Sequence, residues 1–221
     1  MTSGHAPEPS VLRLSRYHCF LGELSGVRSS QRVTSRELAE ELGLSEETVR
    51  HDLKYIDIEG RPGAGYEIGA LYDALQGYLE LSPDHPIAIV ANADMARGLL
   101  VTFPAKQYGL NVAAYFSERT EDVGQRVGDL TITALSDAAA VAKRAAVTVA
   151  VVAVAPDKLE DVLDRLAVAG IRGALLLTPA LRPYQPEGMN VSYFRIPCAV
   201  KSLAAAHSKV APIKSGCCGP E

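Results

Sequence analysis

Apolar residues recur at helical spacing from early in the chain. Val11, Leu14, Tyr17, Leu21 and Leu24 fall on one stripe and predict a helix over 11–24. A polar loop, GVRSSQR, follows. Thr34 then opens a second helix, with Glu37 three residues on as a capping box. Leu38 and Leu42 line its inner face, and Gly43 ends it. Ser45 caps a third helix with Glu46 and Glu47 in its first turn, where the helix dipole favours negative charge. Val49, Leu53 and Ile56 face inward. The Gly- and Pro-rich segment 59–66 (EGRPGAGY) reads as a turn or short wing, and a fourth helix fits 67–80.

From Pro86 the period changes. Short Val/Ile/Ala-rich runs at 87–91, 111–116, 147–154, 173–178 and about 191–196 predict strands. Helical stretches near 94–106, 136–144 and 157–168 separate them, and 198–209 fits a last helix. This βαβ rhythm predicts a doubly wound, Rossmann-like parallel sheet with helices on both faces. The fold class is therefore α/β: an N-terminal winged helix-turn-helix and a C-terminal Rossmann-like domain. The expected division is a flexible arm over 1–10, a winged-helix domain over 11–83, a sensor and dimerisation domain over 84–205 and a flexible tail over 206–221.

Composition adds limits. The 221 residues suit two small domains, and 48% are hydrophobic. No charge-free apolar run reaches membrane-spanning length, and the start of the chain lacks a signal-peptide pattern, so a cytoplasmic protein without a membrane partner is expected. Four cysteines are too few and too scattered for a secreted disulfide framework. Net charge is −4, and residues 1–83 hold eight Lys/Arg against thirteen Asp/Glu. A DNA-binding module is usually basic. Any duplex-binding role must therefore rest on where the charges sit.

Two short helices joined by Gly43-Leu44-Ser45 form a helix-turn-helix pattern. The second would present Thr48, Arg50, His51, Lys54 and Tyr55 to a major groove. Arg61 falls in the following turn, and Arg13, Arg16, Arg32 and Arg36 are candidate phosphate contacts. Pattern alone leaves a second reading open: a helical bundle used for dimerisation, with a solvated charged face.

At this point a family resemblance becomes specific. Residues 34–56, with Val49-Arg50-His51-Asp52-Leu53, are followed by Gly60, Gly63, Gly65 and Tyr66. Together they resemble the winged helix of the Rex redox-sensing transcriptional repressors, with their V-R-x-D-L and G-x-x-G-x-G-Y segments. Arg13, Leu14 and Tyr17 match the family's R-L-x-x-Y opening. V-G-x-x-V-G at 123–128, the run 155–179 and P-E-G at 186–188 continue the match. The resemblance implies a homodimer on palindromic double-stranded operator DNA. It implies a C-terminal helix swapped between subunits and NAD(H) in each Rossmann domain. Reduced cofactor would close the dimer and release DNA. Arg50, His51 and Lys54 would lie on the recognition helix, and Arg61 in a wing reaching the minor groove.

The sequence departs from this pattern at the cofactor. Where the family has G-A-G-N-L-G, this chain has Ala91-Asn92-Ala93-Asp94-Met95-Ala96. The expected consequences are backbone strain at Ala91, a methyl of Ala93 in the path of the phosphates, and repulsion from Asp94. The ribose-binding acid aligns with Ser117, with Glu118 next to it. A third family carboxylate aligns with Cys198. Cys198 with Cys217 and Cys218 is a candidate thiol or soft-metal sensor, against a reading of Cys198 as a small buried apolar residue and the tail as incidental. Cys19 reads as core. The dispersed histidines (His5, His18, His51, His85, His207) form no metal cluster. An alternative function is thus a Rex-fold regulator whose input is thiol, metal or another ligand. A Rossmann-domain oxidoreductase or CoA-binding enzyme ranks last: no catalytic constellation is visible, so no catalytic residue is expected.

Overall fold

The structure is a computed structural model that describes residues 6–81, 84–178, 184–194 and 196–209, without the side chains of 25–28 and 206–209. The chain divides at residues 82 and 83 into two compact units.

The first unit holds α1 (Glu8–Arg28), β1 (Arg32–Val33), α2 (Ser35–Leu42), α3 (Glu46–Leu53), β2 (Tyr66–Glu67) and α4 (Ile68–Tyr78). α1 starts at Glu8, behind Pro7 and a buried Ala6, so the expected arm over 1–10 is shorter than read; residues 1–5 lie outside the described ones. Proline before a first helical turn presets φ and lacks a donor the helix cannot use, a start signal that was passed over. Leu14, Tyr17 and Leu21 are fully buried, as their spacing requires. Cys19 is exposed, not core. It sits two residues past Tyr17, about 200° round the helix from the buried stripe. Thr34 and Glu37 form the capping box, Gly43 closes α2 in the left-handed region at φ 68°, and the Ser45 hydroxyl accepts the N–H of Thr48. Val49, Leu53 and Ile56 pack with Leu38, Leu71 and Leu75 in a single core. β1 pairs antiparallel with β2, so the segment between α3 and α4 folds back as a wing.

The second unit contains β3 (His85–Ala91), α5 (Ala93–Thr102), β4 (Leu110–Ser117), β5 (Arg126–Val127), β6 (Leu130–Ala134), α6 (Ala138–Arg144), β7 (Val149–Ala153), α7 (Leu159–Val168), β8 (Gly173–Leu176), β9 (Asn190–Tyr193) and α8 (Ile196–Lys209). Its sheet order is β5-β6-β4-β3-β7-β8-β9. All neighbours are parallel except the β5–β6 hairpin. Leaving out β5, and counting β3 as first, the order is 3-2-1-4-5-6, that of the doubly wound dinucleotide-binding fold. One face packs α6 and α7 over Val90, Phe116 and Val152. The other packs α5 over Ile87, Ile89 and Tyr115. The sequence pattern passed over β5, whose two residues are too few to show a period, and β6, whose alternating Leu130-Thr131-Ile132-Thr133-Ala134 was a signal available. It also ran α5 four residues too far. Pro104 removes a donor and biases Phe103 out of the helical region, so α5 stops at Thr102. α8 runs through Lys209, past the expected start of the tail; residues 210–221, with Cys217 and Cys218, lie outside the described ones.

Candidate DNA-reading face and nucleotide edge

α3 displays Glu47, Arg50, His51 and Lys54 on its exposed side, at i, i+3, i+4 and i+7, hence on one stripe. His51 meets Tyr55 edge-on at 5.8 Å between ring centres, and Tyr55 is half-buried behind it. Arg50 is held by Glu46 at 2.5 Å, one helical turn back. Thr48 is half-buried, and its hydroxyl is shared with that of Ser45 at 2.7 Å, so it serves the helix start.

Beside this stripe is a cleft of about 440 Å³ between the start of α2, α3 and the wing. Arg36, Arg50 and Arg61 border it from three different elements, together with Glu46. Arg36 is otherwise paired with Glu40 at 2.9 Å, an exposed ion pair of little energetic weight. The wing is shaped by Gly63 and Gly65 at φ 74° and 71°, by the bridge between Arg61 and Gly65, and by Arg32. The Arg32 guanidinium donates to the carbonyls of Ala64 and Gly65.

Three of the expected phosphate contacts are therefore employed within the unit. Arg32 holds the wing. Arg16 donates to the carbonyl of Leu42 at 2.9 Å, satisfying an orphan acceptor at the end of α2. Arg13 is the clearest correction. It grips the carboxylate of Asp52, with Nε 2.6 Å from Oδ2 and Nη2 2.8 Å from Oδ1. Asp52 is wholly buried on the inner side of α3, and the Tyr17 hydroxyl also donates to it at 2.8 Å. Burial works against the Asp52 charge, but Arg13, Tyr17 and Ser10 outweigh it and hold the carboxyl below its ordinary range. Burial and the bond to Asp52 push the Tyr17 phenol far up. The sequence had shown Asp52 only as a motif letter. A charged residue on the inward side of an amphipathic helix was the signal available.

In the second unit, Ala91 ends β3 and Asn92 caps α5, its Oδ1 accepting the N–H of Met95 at 2.8 Å. The expected strain is absent: no residue from 91 to 96 has positive φ. Nor does a methyl stand in the mouth of the turn. Ala91, Ala93 and Ala96 are buried at 2%, 3% and 1% exposure, packed into the core beneath α5. Alanine suits this turn because its backbone stays in ordinary regions and its methyls point inward. Asp94 and Met95 are the exposed residues of the turn, and Asp94 pairs with Arg97 at 3.1 Å. Arg97 also reaches the Gln125 side-chain oxygen at 2.8 Å, tying α5 to the loop before β5.

At the end of β4, Ser117 is buried and donates to the buried carboxylate of Asp122 at 2.9 Å. Glu118, next along, is half-buried and is the acid at that strand end that a ligand could reach. Burial pushes its carboxyl up; Asp157 and Asp161 add to the shift, while Lys158 and Arg119 oppose it. A cavity of about 550 Å³ lies elsewhere in this unit, beneath the end of α5 between Phe103, Tyr115 and Leu130. Cys198 is exposed near the start of α8 in the single chain. Among the described residues no cluster of three His, Cys, Asp or Glu is arranged to hold a metal ion, and no helix is long and apolar enough to cross a membrane.

Comparison with known proteins divides the chain in the same way. A family described as "Putative DNA-binding protein N-terminus" matches residues 5–54, and one described as "CoA binding domain" matches 89–180. The redox-sensing transcriptional repressor Rex of Roseiflexus sp. (strain RS-1) is 26% identical over 189 residues, covering 85% of this chain and 84% of its own. Rex of Chloroflexus aurantiacus (strain ATCC 29366 / DSM 635 / J-10-fl) is 28% identical over 199 residues, covering 89% and 92%. Among solved structures, RSP in complex with beta-NAD+ and operator DNA superposes with a TM-score of 0.77 at 21% identity, covering 92% of this chain and 93% of that one. RSP in complex with beta-NADH gives 0.74 at 20%, covering 93% and 95%. A winged helix joined to a sheet of order 3-2-1-4-5-6, the two sequence signatures of the first unit, and relatives matched over most of their length agree: the chain is similar to the Rex repressors from end to end of both units.

Proposed function

We propose that this protein is a DNA-binding transcriptional repressor that responds to the redox state of a nicotinamide dinucleotide, and that it is not an enzyme. The observation that carries the DNA half is the meeting of Arg36, Arg50 and Arg61 around one cleft beside the exposed His51 and Lys54. An acidic unit thus gathers cations from three elements onto one face, where backbone phosphates and base edges would meet them. Recognition falls to Arg50, His51 and Lys54, and minor-groove contact to Arg61. A DNA-bound role places the protein in the cytoplasm.

The dinucleotide half rests on the sheet order and on relatives whose structures hold NAD+ and NADH. The residues present fit such a ligand. The turn from β3 to α5 is unstrained, its methyls are turned away, and the start of α5 offers backbone N–H groups of Ala93 and Asp94 to a diphosphate. Glu118 is the candidate ribose acceptor. Asp94 weakens the site for phosphate, and Arg97 partly offsets it. When bound, the nicotinamide supplies a redox-dependent charge; this chain's residues only bind and orient it.

The dimer is read from α8. Phe194, Ile196, Val200 and Leu203 stand about half exposed along it and its flank, an apolar face that a second copy of the chain would cover as the family resemblance implies.

The test is retention of the protein's own upstream DNA in a gel shift, with NADH titrated in. The expected result is a retained band released by NADH, and no band from Arg50→Glu/Lys54→Glu. Equal retention by that variant would refute the DNA face. Release by oxidant or a soft metal but not by NADH would favour the thiol reading through Cys198.

A further inference from the structure

We infer that Arg13 and Tyr17 are positioning residues for DNA binding, acting through Asp52 to set the register at which α3 presents Arg50, His51 and Lys54. The inference rests on the DNA reading above and adds the device that makes the reading face reproducible.

Asp52 follows His51 directly and points the other way, into the unit, with no exposed surface. Its two oxygens accept three bonds from α1: Arg13 Nε at 2.6 Å, Arg13 Nη2 at 2.8 Å and the Tyr17 hydroxyl at 2.8 Å. Arg13 is fixed in turn by the hydroxyl of Ser10 at 3.0 Å, and Ser10 is itself buried. Leu14 and Leu21 of α1 pack in the same core as Val49 and Leu53 of α3. Those apolar contacts are non-directional and by themselves specify no hydrogen-bonded register. A two-point guanidinium–carboxylate grip is directional. It locks α3 about its own axis and along its length.

Stability alone does not explain such a pair. An apolar substitute of similar volume often serves a fold as well or better, and fixing register is the best-attested use of a buried ionic group. The two segments that carry the resemblance in this unit, Arg13-Leu14…Tyr17 and Val49-Arg50-His51-Asp52-Leu53, thereby become one device. Arg50 and Asp52 divide the labour: one faces outward to the ligand, the other inward to the helix that aims it.

The experiment uses the full-length protein and two duplexes, its upstream DNA and a random sequence of equal length, titrated by fluorescence anisotropy at several salt concentrations. Arg13→Met/Asp52→Leu removes the ionic pair together and avoids a stranded buried charge. The expected result is a native circular dichroism spectrum and melting temperature. Operator affinity should fall about tenfold, the scale of one lost base contact. Random-duplex affinity should stay unchanged, because the exposed cations remain. Arg13→Lys, which keeps the charge but loses the fork, should fold and show a smaller loss of the same kind. Tyr17→Phe should do likewise. Unchanged operator-to-random ratios in the folded variants would overturn the inference while leaving the DNA reading intact. Failure of the unaltered protein to prefer its own DNA would overturn both. A parallel loss on both duplexes would also overturn the inference, since damaged folding rather than aim would explain it.

Discussion

Gly65 lies against the carbonyl of Val33 so closely that a β-carbon on it would overlap both the oxygen and the carbon of that peptide group. Its φ of 71° adds a second barrier to any L side chain. The wing therefore exists because one residue between α3 and α4 has no side chain. Gly65→Ala should displace the wing from β1, cost more than about 1 kcal/mol by urea unfolding, and abolish operator retention while the far-UV spectrum stays helical. A retained operator band from a folded Gly65→Ala protein would mean that the wing takes no part in binding.

His18 is buried between α1 and α4, stacked on Tyr72 at 4.3 Å between ring centres, and its Nε2 has no partner among the described residues. Burial holds its pKa below the usual histidine value, with Gln76 opposing. The unfolded chain therefore takes up a proton that the folded one refuses, and stability is lost as pH falls through about 6.5. His18→Phe keeps the stacking and removes the stranded nitrogen. It should make the unfolding free energy fall less than in the unaltered protein as pH drops from 7 to 5.5. Parallel curves would show that His18 is not the group titrating there.

Asp52 acts at lower pH and from the opposite cause. Burial disfavours its charge, but Arg13, Tyr17 and Ser10 together hold the carboxyl below its ordinary range. Its contribution is fully present above about pH 4 and is lost as pH falls through the folded-state value. Asp52→Asn removes the charge that Arg13 pairs with while Arg13 still reaches solvent, and should cost about 1–2 kcal/mol at pH 7. The variant should then show a shallower decline than the unaltered protein between pH 4 and 2.5 in urea melts. A decline of equal depth in both proteins would place the acid sensitivity elsewhere.

Glu118 pays for its position at the end of β4, since burial pushes its carboxyl up. Folding is favoured below the ordinary glutamate pKa and penalised as pH rises through the folded-state value, so Glu118→Gln should stabilise the protein near neutrality. It should also weaken NADH binding in calorimetry if Glu118 receives the ribose. Stabilisation without any change in affinity would place the ribose elsewhere.

Because the methyls of Ala91, Ala93 and Ala96 face the core, replacing all three by glycine should leave NADH affinity within about threefold. The same change should lower stability through lost burial and a looser backbone. Asp94→Asn, by contrast, should tighten NADH about twofold to fivefold by removing a like charge from the start of α5. Calorimetry with NADH, NAD+ and coenzyme A on the three proteins checks this. Heat from coenzyme A alone would redirect the site to that ligand.

Much of this was legible in the chain. The capping box at Thr34, the glycine stop at 43 and the inward Val49 and Leu53 are local or periodic features, and periodicity survives translation into three dimensions. So does the alternation of strands and helices after residue 84. Arg13 and Cys19 show the limit. Both sit on α1, and spacing alone could not say that one faces the inner side of α3 and the other solvent. β5 escaped because a two-residue strand has no period to detect, whereas the alternation in β6 was there to be read.

From its residues alone this protein had a helix-turn-helix with a cationic stripe, a βαβ second half, and the altered turn at 91–96. Only the tertiary structure decided which cations are free to meet a ligand and which are spent within the fold, and whether three alanines obstruct the turn or pack beneath it. The reason is physical. Hydrophobic pattern and capping act between neighbours along the chain, whereas the partner of a charge and the direction of a methyl depend on groups brought close by folding: Asp52 lies 39 residues from Arg13 and 2.6 Å away.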